Sequence, residues 1–293
     1  MTMAAFPLIF GEVLFDRFPD GEATLGGAPF NVAWHLAAFG AAPLLVSRVG
    51  RDDNGARVRT AMERCGLSQA GLQDDPIRPT GIVDITMAGG EPAYDIRPGA
   101  AWDGIAAAGL PATPDAALIY HGSLALRSRD SADALAALRR ACPVPVFLDV
   151  NLRDPWWSPE TVMPMIAAAR WVKLNADEFD RLAPGRGRIA ARARAWIDSF
   201  GLDLVVVTRG EKGAVAVSAA DGVLAPPAVP AAVVVDPVGA GDAFSAVLIL
   251  GLLRGWDAGT AVTRAISFAA ALVGRRGATP DDPGFYRPFA ETW

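Results

Sequence analysis

The chain has 293 residues, 52% of them hydrophobic, and a formal net charge of −5, which is enough apolar material for one large α/β domain over residues 1–293. The acidic balance and the lack of a long basic run argue against nucleic acid as a partner, and the longest apolar run, Ala243–Leu253, is too short to cross a membrane. Two cysteines and an N-terminus without a signal-peptide pattern indicate a cytoplasmic protein with reduced thiols.

The first elements have the pattern of an α/β sheet. Phe6–Gly11 predicts a buried first strand, and the segment after it leads to Asp16, which is either a turn residue or a ligand contact. Residues 43–49 and 54–64 predict a second strand and a helix, which together make a βα unit.

Two glycines, Gly26 and Gly27, precede a helix in which Pro29 fits the first turn and which should end at Gly40. Asn31 lies on that first turn. Its amide can bind a hydroxyl beside the glycine backbone, or it can be a buried amide satisfied by the backbone, and the residues alone leave both readings open.

Residues 80–96 predict a β-hairpin. Thr80–Met87 alternates with a period of two, and Gly89-Gly90 leads into Glu91–Ile96. With strands at about 12–28, this segment at about 80–100 interrupts the βα rhythm, so we expect a small sheet that stands off the main one as a lid. Tyr94, with Asp95 and Trp102, either reaches the ligand site from this lid or packs within it.

From Ala116 onward, strands and helices alternate regularly, which predicts a mostly parallel sheet with helices on both faces. The predicted elements are strand Ala116–His121, helix Asp130–Ala141, strand Val144–Val150, helix Pro159–Ala168 and strand Trp171–Leu174. Ligands of such folds bind beyond the carboxyl ends of the strands.

Polar side chains occur at two of these strand ends. Asp149, Asn151 and Arg153 alternate along one strand, so they share a face, either as part of a ligand site or as a salt-bridged loop. Asn175 and Glu178 stand where an N-cap and the third helical residue would be, and that capping role is sufficient to explain both residues as structure.

Near the C-terminus, Val233–Val235 predicts an apolar strand, followed by the turn Gly239-Ala240-Gly241 and a helix that runs to Leu253. The first amides of that helix and its dipole favour a bound phosphate, and Asp242 can face a bound hydroxyl. This combination suits phosphoryl transfer to an alcohol. A common tight turn with an acid that complements the dipole is the alternative.

The string Asp236–Phe244 resembles the C-terminal signature of the ribokinase-like (PfkB) sugar kinases, and Gly26–Ala33 with Val49–Gly55 resembles their N-terminal signature. The resemblance implies a ribokinase-like α/β fold and ATP-dependent phosphorylation of a small sugar. It also implies that Asp242 is the catalytic base. Further site residues implied are the amides of Gly239, Ala240 and Gly241 around the transferring phosphoryl group, and Asp16, Gly26, Gly27 and Asn31 on the sugar hydroxyls.

The segment Asp149–Arg153, with Trp156 and Trp157 beyond it, resembles that of fructokinases and 2-keto-3-deoxygluconate kinases, in which the arginine faces the substrate. We assign Arg153 and Tyr94 to the substrate accordingly. The resemblance also places Asn175, Thr208, Gly210, Gly213 and Gly277 at the nucleotide and Glu178 near Mg²⁺ through water.

One departure from the family pattern is Pro237, which stands where many members have threonine. It removes a hydroxyl near the anion site and leaves open whether Asp236 supports a monovalent cation such as K⁺. The expected substrate is fructose, with ketodeoxygluconate, ribose or a nucleoside as alternatives, and a catalytically silent sugar-binding relative as another. The lid sheet would suit a homodimer.

Overall fold

The computed structural model describes residues 6–88, 91–113, 115–231 and 233–293, with the backbone alone at 87–88 and 91–93. The turn of the expected hairpin, Gly89-Gly90, therefore lies outside the described residues.

Within these ranges the chain forms thirteen strands. They are β1 (Phe6–Phe10), β2 (Leu14–Arg17), β3 (Ala23–Gly26), β4 (Leu44–Gly50), β5 (Leu72–Asp75), β6 (Gly81–Ala88), β7 (Glu91–Ile96), β8 (Ala116–His121), β9 (Val146–Asp149), β10 (Trp171–Asn175), β11 (Leu204–Thr208), β12 (Ala214–Ser218) and β13 (Gly222–Leu224).

The same ranges contain nine α-helices. They are α1 (Ala28–Ala38), α2 (Asp53–Arg64), α3 (Arg129–Ala141), α4 (Pro159–Ala167), α5 (Ala176–Leu182), α6 (Ile189–Phe200), α7 (Ala240–Arg254), α8 (Ala258–Val273) and α9 (Pro283–Ala290). In the described part of the chain, no helix is both long and apolar enough to span a membrane.

The large sheet has nine strands in the order β13-β12-β11-β10-β9-β8-β1-β4-β5. Its neighbours pair in parallel from β11 through to β5, and only the pairs β11–β12 and β12–β13 are antiparallel. The expected mostly parallel sheet is confirmed. Its parallel order brings the carboxyl ends of β1, β8, β9, β10 and β11 to one edge.

Helices cover both faces of this sheet, which explains the continuous apolar runs in its central strands. On β11, Leu204 and Val206 pack in the core that contains residues of α1, α7 and α8. The alternating Val205 and Val207 pack instead with residues of α4, α5 and α6.

The small sheet has four strands in the order β3-β2-β6-β7, with β2 and β6 parallel and the two outer pairs antiparallel. These strands lie inside the two expected segments, at about 12–28 and 80–100. Leu14, Val83 and Ile96 of this sheet form one buried cluster with Trp102 and Leu124.

Arg127 fastens one corner of the small sheet to the rest of the molecule. Its guanidinium donates to the carbonyl oxygens of Ile96 (3.2 Å) and Arg97 (2.7 Å), where β7 ends. The same group pairs with both carboxylate oxygens of Asp103, at 2.9 and 3.0 Å, and lies 4.3 and 4.4 Å from the ring centres of Trp102 and Trp156.

The prediction of a strand at Val233–Val235 is wrong. Residues 225–231 and 233–239 contain no strand, and the three valines are 63%, 70% and 54% exposed. The backbone amides of Val235 and Asp236 both donate to the carbonyl oxygen of Val273, so the segment follows the end of α8 instead of joining the sheet. β5 and α9 form as additional elements that the sequence patterns did not indicate.

Candidate functional site

A cavity of about 460 Å³ lies where the carboxyl ends of the central strands face the small sheet. It brings together most of the residues that the sequence singled out. Those lining it are Asp16, Gly27, Asn31, Tyr94, Arg153, Asn175, Glu178, Thr208, Gly210, Gly239, Gly241 and Asp242. Gly26, Ala240, Gly213, Gly277 and Asp236 are not among its lining residues.

The start of α7 forms one wall of the cavity. Its N-cap, Gly239, has φ of 80°, a conformation that costs little only for glycine, and a side chain there would collide with Ala278. Gly241 also lines the cavity. The amides of the first helical turn have no intrahelical acceptor, so this wall favours an anion.

Asp242 stands on the first turn of α7 and is held by Asn31, whose Nδ2 donates to its Oδ2 at 2.8 Å. The pKa of Asp242 is raised to about 6, because burial and, less strongly, Asp149 outweigh the opposing effects of the Asn31 hydrogen bond, Lys173 and Arg153. A carboxyl group with this pKa is ionised at neutral pH and still basic enough to take a proton.

A buried ion pair lies beside the anion wall. Lys173 Nζ donates to both carboxylate oxygens of Asp149 at 3.0 Å, and Ser245 Oγ donates to Asp149 Oδ2 at 2.7 Å. Burial lowers the pKa of Lys173, but Asp149, Glu178 and Asp242 raise it overall, so the ammonium stays charged. Because Ser245 is one turn beyond Asp242, the pair ties α7 to β9 and β10.

Lys173 was not predicted as a functional residue, although its position carries a signal. It is a lysine between the apolar residues Val172 and Leu174 of β10, and only 6% of it is exposed. A buried lysine needs a facing carboxylate, and Asp149 at the end of the neighbouring strand provides it.

The predicted sugar residues Asp16, Gly27 and Asn31 also line the cavity, with Asn31 beside Asp242. Gly27 has φ of 104°, and a side chain there would come within 2.7 Å of the Glu12 carbonyl oxygen. Gly26 has a supporting place, because a side chain there would meet Asp16 Oδ2 at 3.0 Å. Burial raises the pKa of Asp16 to about 6, against the opposing effect of Arg153.

The lid side chains divide into one that lines the cavity and two that do not. Tyr94 on β7 lines it and is 47% exposed. Asp95, its neighbour, pairs with Arg97 on the surface, and Trp102 is buried in the core beneath the small sheet. Packing is therefore the correct reading for Trp102.

Glu12 is a cavity residue that the sequence analysis missed. It follows β1 directly, lines the cavity and is 2% exposed. Its pKa is raised to about 7, because burial and, less strongly, Asp242 outweigh the opposing effects of its own backbone amide, Arg153 and Arg127. The available signal was an acid at the end of the buried first strand, the edge where α/β proteins bind ligands.

Asn175 and Glu178 form the expected capping box. The amide of Glu178 donates to Asn175 Oδ1 (2.9 Å), and the amide of Asn175 donates to Glu178 Oε2 (2.8 Å). Glu178 Oε1 accepts from the amide of Leu152 at 2.8 Å. Both residues also line the cavity, so they combine the structural role with a place at the site.

The carboxylates offered as cation contacts are both engaged by backbone amides. Asp236 accepts from the amides of Val238 and Gly277 at 3.0 Å each, and Glu178 accepts from two amides as described. Among the described residues, no group of three or more His, Cys, Asp or Glu side chains converges as a metal site. The donor set therefore fits a cation held with phosphate oxygens and water, not a cage of protein ligands.

Comparison with known proteins gives a consistent result. The sequence matches the pfkB family carbohydrate kinase model over residues 6–283. It is 32% identical to a fructokinase of Klebsiella pneumoniae over 266 residues, covering 83% of each chain. It is 28% identical to an aminoimidazole riboside kinase of Salmonella typhimurium over 290 residues, covering 92% of this chain and 89% of that one.

The fold agrees with these sequence matches. The crystal structure of aminoimidazole riboside kinase from Salmonella enterica, complexed with aminoimidazole riboside and an ATP analog, superposes with a TM-score of 0.83 at 26% identity. The match covers 97% of this chain and 99% of that chain. The architecture is thus the ribokinase-like α/β fold.

Proposed function

Because the chain belongs to the pfkB family of carbohydrate kinases, we propose that it transfers the γ-phosphoryl group of ATP to a hydroxyl of a small sugar, and that this sugar is fructose. The observation that carries the proposal is the pairing of Asp242 with Asn31 beside the first turn of α7. It sets a carboxylate next to the N-terminus of a helix, which is an arrangement suited to phosphoryl transfer to an alcohol.

In this mechanism Asp242 accepts the proton of the attacking hydroxyl. The amides of Gly239, Ala240 and Gly241 stabilise the negative charge of the transferring group, since helix N-termini favour phosphate. Asn31 donates to Asp242 Oδ2 and so leaves the other oxygen free for the substrate. The Lys173 and Asp149 pair, through Ser245, fixes α7, the helix whose first turn carries Asp242 and the phosphate-facing amides.

The sugar is held by Asp16, Gly26, Gly27 and Asn31, with Tyr94 above it from β7. Arg153 has the geometry to give paired hydrogen bonds to the oxygens of a ketose. A riboside is the second candidate, because the relatives include an aminoimidazole riboside kinase that aligns over 92% of this chain.

ATP is proposed to lie along Asn175, Thr208 and Gly210, with Gly213 and Gly277 further out and not lining the cavity. Magnesium, when bound with ATP, neutralises phosphate charge. Glu178 would hold it through water, and Asp236 is the candidate for K⁺.

The test is ADP release by the full chain across a panel of fructose, ribose, ketodeoxygluconate and nucleosides. The proposal expects kcat/KM to be highest for fructose. A higher kcat/KM for a riboside would assign the riboside as the substrate instead of fructose. No ADP release with any sugar would overturn the kinase assignment.

A further inference from the structure

Two buried acceptor atoms of residues that line the cavity are unpaired. Glu12 Oε2 and Asn31 Oδ1 are inaccessible to solvent and have no hydrogen-bond partner among the described residues. Glu12 itself is 2% exposed and lines the cavity. A buried acceptor without a donor costs free energy, and a ligand that supplies the donor recovers it.

The side chains that line the cavity with Glu12 also carry more carboxyl groups than cations. Five carboxyl groups line the cavity, those of Glu12, Asp16, Asp149, Glu178 and Asp242, and Arg153 and Lys173 are the cations that line it with them. Lys173 is paired with Asp149. Arg127, which acts on Glu12 from outside the cavity lining, is itself paired with Asp103.

We propose that Glu12 makes this site selective for uncharged, hydroxyl-bearing substrates and excludes sugar acids. This inference rests on the proposed sugar kinase function and narrows its substrate class. A substrate hydroxyl can donate to the Glu12 carboxyl group. A sugar carboxylate at neutral pH has no proton to donate on its charged end and adds a further negative charge to the cavity.

The size of the exclusion follows from the electrostatics. An ionised Glu12 and a sugar carboxylate in the same cavity repel more strongly than in bulk water because the effective dielectric constant is lower there, and Arg153 offsets part of that repulsion. We expect a discrimination attributable to Glu12 of about tenfold or more in affinity.

The experiment measures binding calorimetrically at pH 8, where a carboxyl group with a pKa of about 7 is mostly ionised. Fructose, ribose and ketodeoxygluconate are titrated into wild type, Glu12→Gln, Glu12→Ala and Glu12→Asp, each with a non-hydrolysable ATP analogue. Glu12→Gln removes the charge and keeps the shape, so the ratio of uncharged-sugar to sugar-acid affinity should fall about tenfold. Glu12→Ala should lower the ratio too, whereas Glu12→Asp keeps the charge and should keep most of the preference. Thermal unfolding checks that each variant is folded.

Asp95→Asn is the matched control, because Asp95 is an exposed carboxylate of the small sheet outside the cavity lining. It should leave the ratio at the wild-type value. The proposal is overturned if Glu12→Gln and Glu12→Ala keep the wild-type ratio, if wild type binds ketodeoxygluconate as tightly as the uncharged sugars, or if it binds none of the three.

ADP release measured in parallel separates this inference from the proposed function. If ADP release depends on sugar but the Glu12 variants keep the wild-type affinity ratio, the kinase function stands and Glu12 does not select the substrate. If the Glu12 variants change the ratio but no sugar gives ADP release, Glu12 selects the ligand and the kinase function is overturned.

Discussion

At the scale of single residues, Asp242 carries the proposed chemistry. We expect Asp242→Asn to lower kcat by roughly 10²–10⁴, because an amide of the same shape cannot accept the hydroxyl proton. The affinity for ATP should stay within a few-fold. Steady-state kinetics with the sugar that gives the highest wild-type turnover check this, and a kcat near the wild-type value would remove Asp242 as the base.

The raised pKa of Asp242, about 6, predicts the acid side of the pH profile. Only the ionised carboxylate accepts a proton, so kcat/KM, which reports the ionisation of the free enzyme, should fall about tenfold per pH unit as the pH drops well below 6. The profile of kcat/KM against pH between 5 and 8 measures it. A flat profile down to pH 5 would contradict the assignment.

We expect the buried carboxyl group of Glu12 to lower the stability of the folded protein when it is ionised. Its pKa in the folded protein, about 7, lies above the ordinary value of 4.5, so the folded state binds the proton more tightly than the unfolded state. Stability from this group is therefore present at low pH and lost as the pH rises through 7. Between pH 5 and pH 8, Glu12→Gln should gain roughly 1–3 kcal/mol in unfolding free energy relative to wild type.

Urea unfolding of both proteins at the two pH values measures that difference. The same gain at pH 5 as at pH 8 would show that Glu12 does not titrate between them. Asp95→Asn, whose carboxylate is exposed, should show no such change between the two pH values.

The sequence predicts the site residues that stand in short motifs better than those whose role depends on contacts between distant parts of the chain. Asp242 and Asn31 stand in short strings with fixed spacing, and the structure brings them within hydrogen-bond distance. Glu12 and Lys173 were missed because their place depends on which strands are neighbours. Lys173 meets Asp149 only because β10 lies beside β9, and no local pattern contains that pairing.

At the scale of elements, the buried pair of Lys173 and Asp149 anchors α7 through Ser245. Lys173→Met leaves the Asp149 carboxylate buried and without its cation, which should cost about 3–5 kcal/mol of unfolding free energy. Ser245→Ala removes one hydrogen bond to a charged group and should cost about 1–3 kcal/mol.

Denaturant unfolding of the two variants measures both losses of unfolding free energy, and we expect the larger loss for Lys173→Met. Equal losses, or a larger loss for Ser245→Ala, would mean that the ion pair is not what holds the helix. Ser267→Ala is a control, because the Ser267 hydroxyl donates to the carbonyl oxygen of Thr263 within α8 and is exposed.

The elements that the sequence predicted are those whose pattern is set by burial. The strands of the large sheet are apolar because helices cover both faces, so β8, β9, β10 and β11 were recognisable. Val233–Val235 has the composition of a strand, yet its amides bond to the end of α8. β5 has four residues, three of them polar, and it forms because it pairs with β4 in the sheet.

At the scale of the whole molecule, the small sheet covers the cavity, and we predict that it closes on the sugar. Closure would exclude water that competes for the phosphoryl group. Amide hydrogen exchange in β6 and β7 should therefore slow when saturating sugar is added. The amides of β4, in the interior of the large sheet, serve as the internal reference, and equal protection of β6 and β7 with and without sugar would contradict closure.

The small sheet also bears on assembly, because β3 and β7 are its edge strands. Open edges pair readily with a second copy, so we predict a homodimer through this sheet. Light scattering coupled to size-exclusion chromatography tests it. A monomer at all concentrations up to about 100 μM, far above a typical dimer dissociation constant of about 1 μM, would contradict it.

The clamp that Arg127 makes at the end of β7 fixes how the small sheet can turn. When one corner of the sheet is held, the displacement of its residues grows with their distance from that corner. Tyr94 is two residues from Ile96, about 7 Å along the strand at about 3.3 Å per residue, and sweeps only a short arc. We therefore expect the Tyr94 side chain to move little when the small sheet closes, and the residues of the sheet farther from Ile96 to move more.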